Sequence, residues 1–343
     1  MKWIFLLTCI VFINFCENKK GPKNFTILTN KKVFTTGDTL RISLKKNNYL
    51  EYDSISYFKD DKIIDSIHEI GKKLGDKKIT AKIFKNKNFR ENSINIRVLS
   101  SSTPSLFTYK IINEYPHDID SYTQGLEFYD NRLFESIGLR GKSALKEIEF
   151  KTGKVIRNLP IDDSYFAEGI TIFDKKIYQL TWQSKIGFIY DLESFELIDS
   201  FQYENSIEGW GLCNDGNLIY KSDGTSKIWI IDPDSLDEID YVQVTTNKSI
   251  ISKINEMEWI NGKIYANTYQ FNKDIVLIIN PETGSVEGVV DLNGLKEKVK
   301  NHPKIDVLNG IAYNKNSKTI FMTGKNWSKL FELRIIENNI SKP

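Results

Sequence analysis

A short motif recurs five times in the C-terminal part of the chain, and it limits the possible folds more than any other feature. Its copies are Gln124-Gly125-Leu126-Glu127-Phe128, Glu168-Gly169-Ile170-Thr171-Ile172, Trp210-Gly211-Leu212-Cys213, Asn255-Glu256-Met257-Glu258-Trp259 and Asn309-Gly310-Ile311-Ala312-Tyr313. The spacings are 44, 42, 45 and 54 residues. Each copy opens an apolar, strand-like run, followed by a turn and a second run: Arg132-Leu133-Phe134, Lys176-Ile177-Tyr178, Leu218-Ile219-Tyr220, Lys263-Ile264-Tyr265 and Thr319-Ile320-Phe321. Third runs are clearest at 186–191, 228–232 and 276–280, each ending in Asp or Asn, which favour turns. Turns near Gly153, Ser194, Ser235 and Gly284 then lead into fourth runs such as 286–290.

Four short strands in a unit of roughly 45 residues is the arithmetic of a β-propeller blade. Five units predict a five-bladed β-propeller over residues 106–336. The fifth unit ends at 330–335, one strand short. Residues 106–112, before the first unit, carry a fourth-strand pattern and are expected to complete the last blade, closing the ring without an open edge.

The full chain has 343 residues, more than one small core needs. Residues 25–100 alternate in strand-like runs (25–28, 40–44, 79–84 and 94–99) and predict a small immunoglobulin-like β-sandwich, a spacer or docking module. The polar stretch 100–105 is the expected boundary. Met1-Lys2-Trp3, the apolar run Ile4 to Ile13 and Cys16 resemble a lipoprotein signal over 1–16, with Cys16 as the lipidated residue and 17–24 as a tether. A simple signal peptide cut elsewhere, or an uncleaved anchor, is the rival reading. Either way the expectation is export to the cell envelope, facing periplasm or cell surface. Of three cysteines only Cys213 then remains, so no disulfide framework is expected. Lys+Arg is 47 against Asp+Glu 45, a net charge of +2, which offers no basic excess for nucleic acid.

The repeat also points to a site. In a propeller the first strand of each blade lines the central channel, so the residue opening it recurs at one mouth. Those residues are Gln124, Glu168, Trp210, Asn255 and Asn309. Four of the five are polar, where packing alone would favour apolar or small residues; polar groups converging on a concavity mark a candidate pocket. Five residues past the Ile or Leu of each second strand come Gly138, Trp182, Gly224, Tyr269 and Lys325. Aromatic walls and one cation suit a flexible organic group, with the glycines expected to leave the entrance open. The competing structural reading is that channel polar groups only bind water or neighbouring backbone. Trp229 and Trp259 read as packing residues.

Other motifs fail on spacing. Gly138-Leu139-Arg140-Gly141-Lys142-Ser143 echoes a phosphate loop, but position 136 is Ser136 rather than Gly. The three histidines, His68, His117 and His302, lack zinc-ligand spacing. Chemistry here should use a carboxylate, amides and a lysine.

Read in order, Tyr122-Thr123-Gln124-Gly125-Leu126, Phe166-Ala167-Glu168-Gly169-Ile170, Gln179-Leu180-Thr181-Trp182, Glu208-Gly209-Trp210-Gly211-Leu212, Lys221-Ser222-Asp223-Gly224, Asn255-Glu256-Met257-Glu258, Ala266-Asn267-Thr268-Tyr269, Leu308-Asn309-Gly310-Ile311-Ala312 and Thr323-Gly324-Lys325-Asn326-Trp327 resemble the plant and bacterial glutaminyl-peptide cyclotransferases. The resemblance implies a five-bladed propeller that converts the N-terminal Gln of peptides or proteins to pyroglutamate and releases ammonia, with no cofactor and no catalytic metal. It implies catalytic roles for Gln124, Glu168, Asn255 and Lys325, and substrate contacts from Tyr122, Phe166, Trp182, Trp210, Tyr269 and Asn309. Tyr122 stands where the family usually has Phe, and Tyr269 where a pocket Trp is expected. Glu168 is then the expected general acid/base. A monomer is expected, touching membrane only through the lipid anchor. Two alternatives stay open: a surface propeller that binds peptide or glycan without turnover, and a metal-dependent propeller hydrolase such as a lactonase.

Overall fold

In the computed structural model, residues 25–46 and 50–338 are described; the signal segment 1–16, Cys16 and the tether 17–24 lie outside the described residues. Among the described residues the structure is all-β apart from one 3-10 turn, Lys296–Lys298. The described residues divide into two compact units, one of 25–30, 41–67 and 78–94, the other of 31–40, 68–77 and 95–338. Parts of the stretch 25–100 therefore group with the larger unit. In the smaller unit Phe25–Thr29 pairs antiparallel with residues 42–46, and Ser54–Lys59 pairs with Lys62–Ile64 on one side and residues 79–84 on the other.

The larger unit is built from four-stranded antiparallel meanders, each running from its opening strand outward. The first contains Thr123–Tyr129, Arg132–Ile137, Ala144–Glu149 and Lys154–Pro160. The second contains Ala167–Phe173, Lys176–Thr181, Ile186–Asp191 and Leu197–Gln202. The third contains Leu212–Asn214, Ile219–Ser222, Lys227–Ile231 and Glu238–Gln243.

An eight-stranded sheet follows. Ile254–Ile260, Lys263–Thr268, Ile275–Ile279 and Val286–Asp291 form one half; Leu308–Asn314, Thr319–Gly324, Lys329–Glu337 and Ser105–Pro116 form the other.

The closing strand behaves as its sequence pattern predicts, with one addition. Ser105–Pro116 pairs antiparallel with Lys329–Glu337, so the start of the unit completes the sheet made by its end. This seam is consistent with a β-propeller. The strand is longer than 106–112, and its first residues also pair in parallel with Gly288–Val290, which welds the two halves into one sheet. The wider spacing before the fifth motif is filled by loop and by the turn at Lys296–Lys298.

The opening strands and the strands that pair with them are buried along most of their length, and their apolar side chains form clusters between neighbouring sheets. One contains Phe134, Ile170, Ile177 and Tyr190, another Cys213, Tyr220, Met257 and Ile264. Cys213 is a free, buried thiol used as a small hydrophobe. Trp229 is buried and donates its indole N–H to Asp223; Trp259 stacks on Tyr220.

The repeated glycines show how closely the opening strands approach. A Cβ on Gly125 would lie 2.6 Å from the Ile170 nitrogen, one on Gly169 2.5 Å from the Trp210 oxygen, and one on Gly211 2.3 Å from the Asn255 oxygen. The motif is therefore a backbone-to-backbone contact between one opening strand and the next. Glu256 replaces glycine in the fourth copy. It is buried, and its two carboxyl oxygens accept the backbone N–H groups of Leu126 (3.2 Å) and Ile311 (2.7 Å), tying three opening strands together.

Candidate functional site

The five repeated opening residues do not start their strands. In four of the five opening strands they fall in a register shift just inside the strand: between Thr123 and Gly125, Ala167 and Ile170, Ile254 and Met257, and Leu308 and Ile311. A bulge takes its residue out of the ladder and re-aims the side chain, which is why a polar residue is tolerated at the head of an apolar strand. Trp210 lies just before the third opening strand, which begins at Leu212.

The second repeated set is held against the first by backbone. The N–H groups of Gly138, Trp182, Tyr269 and Lys325 donate to the carbonyls of Tyr122, Phe166, Lys253 and Val307, each at 2.9 Å. Four of the five repeats thus share one bond that seats a post-strand residue beside the residue two before the bulge.

These supports bring together the aromatic residues singled out from the sequence. Tyr122 packs edge-on to Phe166 at 6.2 Å, and Phe166 lies 5.6 Å from Trp182. Trp210 packs edge-on to Tyr269 at 5.9 Å. Lys325 joins the two runs, its Nζ lying 4.8 Å from the Tyr122 ring centre and 5.1 Å from that of Tyr269. Glu208 joins them on the other side: one of its oxygens accepts the indole N–H of both Trp182 (2.6 Å) and Trp210 (2.8 Å). The collar is therefore continuous.

A polar line runs beside it, with Gln124 and Phe166 both against Gly138. Asn309 donates its amide to the Thr123 carbonyl (2.9 Å) and to the Gln124 side-chain oxygen (3.4 Å), and the Gln124 amide reaches Glu168 at 3.5 Å. Asn255 is buried, and its carbonyl accepts the Ser222 hydroxyl.

Glu168 and Lys325 are 5% and 4% exposed, low enough for desolvation to govern both. Burial pushes the Glu168 carboxyl well above the usual carboxylate range; Lys325 opposes this and Glu208 adds to it. Burial likewise pulls the Lys325 ammonium down, opposed by Glu168 and Asp306. Both groups are driven towards their neutral forms.

Two residues of this site were not singled out from the sequence, Glu208 and Asp306. Asp306 accepts the Tyr122 hydroxyl at 2.8 Å. The glycines at the second repeated position also have a different purpose from the one expected. A Cβ on Gly138 would lie 2.4 Å from Phe166, and one on Gly224 2.5 Å from Trp210. They make room for the collar rings rather than for an open entrance. Trp327 is wholly buried, donating to the Asp306 carbonyl, and belongs to the core. Among the described residues no group of three or more His, Cys, Asp or Glu could hold a metal ion.

The sequence profile of the family described as Glutamine cyclotransferase matches residues 81–335. The chain belongs to this family. It is 37% identical over 229 residues to the glutaminyl-peptide cyclotransferase of Arabidopsis thaliana, covering 66% of this chain and 71% of that protein. Its structure is similar to the crystal structure of Myxococcus xanthus glutaminyl cyclase, with a TM-score of 0.64, 35% identity, and coverage of 69% of this chain and all of that one. The cyclotransferase match takes in every collar residue and the seam strand 105–116.

Proposed function

We propose that this enzyme, a glutaminyl-peptide cyclotransferase, cyclises the N-terminal Gln of peptides or proteins inside the collar, with Glu168 as general acid/base. The observation that carries this reading is the buried Glu168 carboxyl facing Gln124 and electrostatically coupled to Lys325. The α-amine of the substrate must be neutral to attack, yet its reference pKa is about 7.7–8.0. In the proposed mechanism the amine nitrogen bonds to the γ-amide carbon, giving a tetrahedral intermediate. Glu168 takes a proton from that nitrogen and delivers one to the amide nitrogen, the C–N bond breaks, and ammonia leaves. Gln124, Asn255 and Lys325 orient the amide and stabilise the oxyanion, with Asn309 holding Gln124. Tyr122, Phe166, Trp182, Trp210 and Tyr269 enclose the Gln side chain and fold it back on its own amine.

We further infer a five-bladed propeller over 106–336. Three four-stranded sheets and the two four-stranded halves of the eight-stranded sheet support that count. Residues 25–100 are proposed as an immunoglobulin-like spacer. The signal pattern around Cys16 supports an exported, lipid-anchored protein at the cell envelope.

The test is ammonia release from a Gln-initiated peptide with a chelator present. Steady release, absent with an Asn-initiated peptide, supports the reading. Binding of the peptide without ammonia release favours a non-catalytic receptor.

A further inference from the structure

Lys325 is an unusual cation. It is buried, yet among the described residues it forms no ion pair and donates no side-chain hydrogen bond. Its Nζ is held instead by two ring faces, Tyr122 and Tyr269. Cation–π attraction strengthens when the site is desolvated and when the ring is electron-rich. Tyr122 meets the second condition, because its hydroxyl donates to the Asp306 carboxylate at 2.8 Å, and a phenol hydrogen-bonded to a carboxylate carries more electron density in its ring.

Asp306 is itself rigidly placed. Its N–H donates to the Lys325 carbonyl (3.0 Å), while the N–H of Lys325 donates to the carbonyl of the next residue, Val307 (2.9 Å). Its own carbonyl accepts the Trp327 indole (3.0 Å), and its second carboxylate oxygen accepts the Val307 N–H (2.9 Å). Asp306 and Lys325 are thus locked side by side through backbone while Tyr122 links their side chains from another sheet. The charged or titratable groups facing Lys325 are Glu168 from the second sheet, Asp306 from the loop before the last opening strand, Tyr122 from before the first, and Tyr269 from after Lys263–Thr268. Glu168 is the proposed proton carrier, so its charge varies through the reaction. Asp306 is the carboxylate outside that exchange.

We propose that Asp306, acting through Tyr122, is a positioning residue that holds the Lys325 ammonium against the collar rings. The proposal rests on the reading that Lys325 belongs to the cyclisation machinery. Its consequence is that Lys325 keeps its proton to a higher pH than its burial would otherwise allow.

The experiment is a titration of the Lys325 side-chain ¹⁵N signal, assigned with Lys325→Met, in the full chain and in Tyr122→Phe and Asp306→Asn. The expected result is that Lys325 loses its proton about one pH unit lower in both variants. The alkaline limb of kcat/KM should move down by the same amount. An unmoved Lys325 titration in either variant overturns the proposal, whatever happens to activity. A titration that moves while the alkaline limb stays fixed upholds the positioning role and counts instead against Lys325 as part of the machinery.

Discussion

Trp182 and Trp210, from neighbouring sheets, donate their indole N–H groups to the same oxygen of Glu208. The loop carrying Glu208 is fixed from below. Lys221, fully buried and paired with Glu238, also donates to the Glu208 carbonyl at 2.8 Å and to the Ser206 hydroxyl. One carboxylate therefore sets the spacing of two walls of the collar.

Glu208→Ala should loosen both indoles while leaving Glu168 and Lys325 in place. Hydrogen bonds to a charged acceptor contribute about 1.5–3 kcal/mol, so a KM increase of about tenfold or more is expected, with a smaller loss in kcat. Steady-state kinetics on a Gln-initiated peptide decide it; an unchanged KM would show that the indole positions do not depend on Glu208.

Gly138→Ala and Gly224→Ala test whether those glycines seat the rings. The new methyl would collide with Phe166 in one case and Trp210 in the other, and position 224 also has a φ of +75°. Overpacking of this kind costs about 1–3 kcal/mol, and here the displaced groups are collar rings. Both variants should lose activity out of proportion to their change in melting temperature. Normal kinetics in either would return these glycines to the role of clearing the entrance.

The pH dependence of stability tests Glu256. Burial raises its carboxyl well above the usual range, and Glu127 adds to the effect. The folded state then binds a proton that the unfolded state releases above about pH 4.5. Its contribution is fully present below that pH and declines as pH rises towards the folded value, by about 1.4 kcal/mol per unit. Glu256→Gln should be less stable than the parent in acid, because one of two backbone N–H groups loses its acceptor, but should lose less stability between pH 5 and pH 8. Melting curves that fall in parallel for the two proteins would contradict this.

The fold was legible because its repeat is written in strand periodicity, and the seam because residues 106–112 carry a fourth-strand pattern with no sheet of their own. The bulges were not, since a register shift leaves no mark on composition; the motif reads as a strand start when it is a kink one residue inside. Asp306 and Glu208 escaped because both lie in loops between repeats. For Glu208 a signal existed: the residues two before the bulges include Tyr122 and Phe166, and Glu208 holds the same offset before Trp210. Residue alternation along an extended chain puts that offset on the same side. Asp306 has no counterpart in the other repeats, and only the folded loop brings it to the Tyr122 hydroxyl.

The most direct measurement is the single-turnover rate of ammonia release by Glu168→Gln with enzyme in saturating excess over a Gln-initiated peptide. General acid/base catalysis contributes about 10²–10⁴-fold, so the variant should bind the peptide and release ammonia at least about a hundred times more slowly than the parent. A folded Glu168→Gln protein that turns over within a few-fold of the parent would contradict the account.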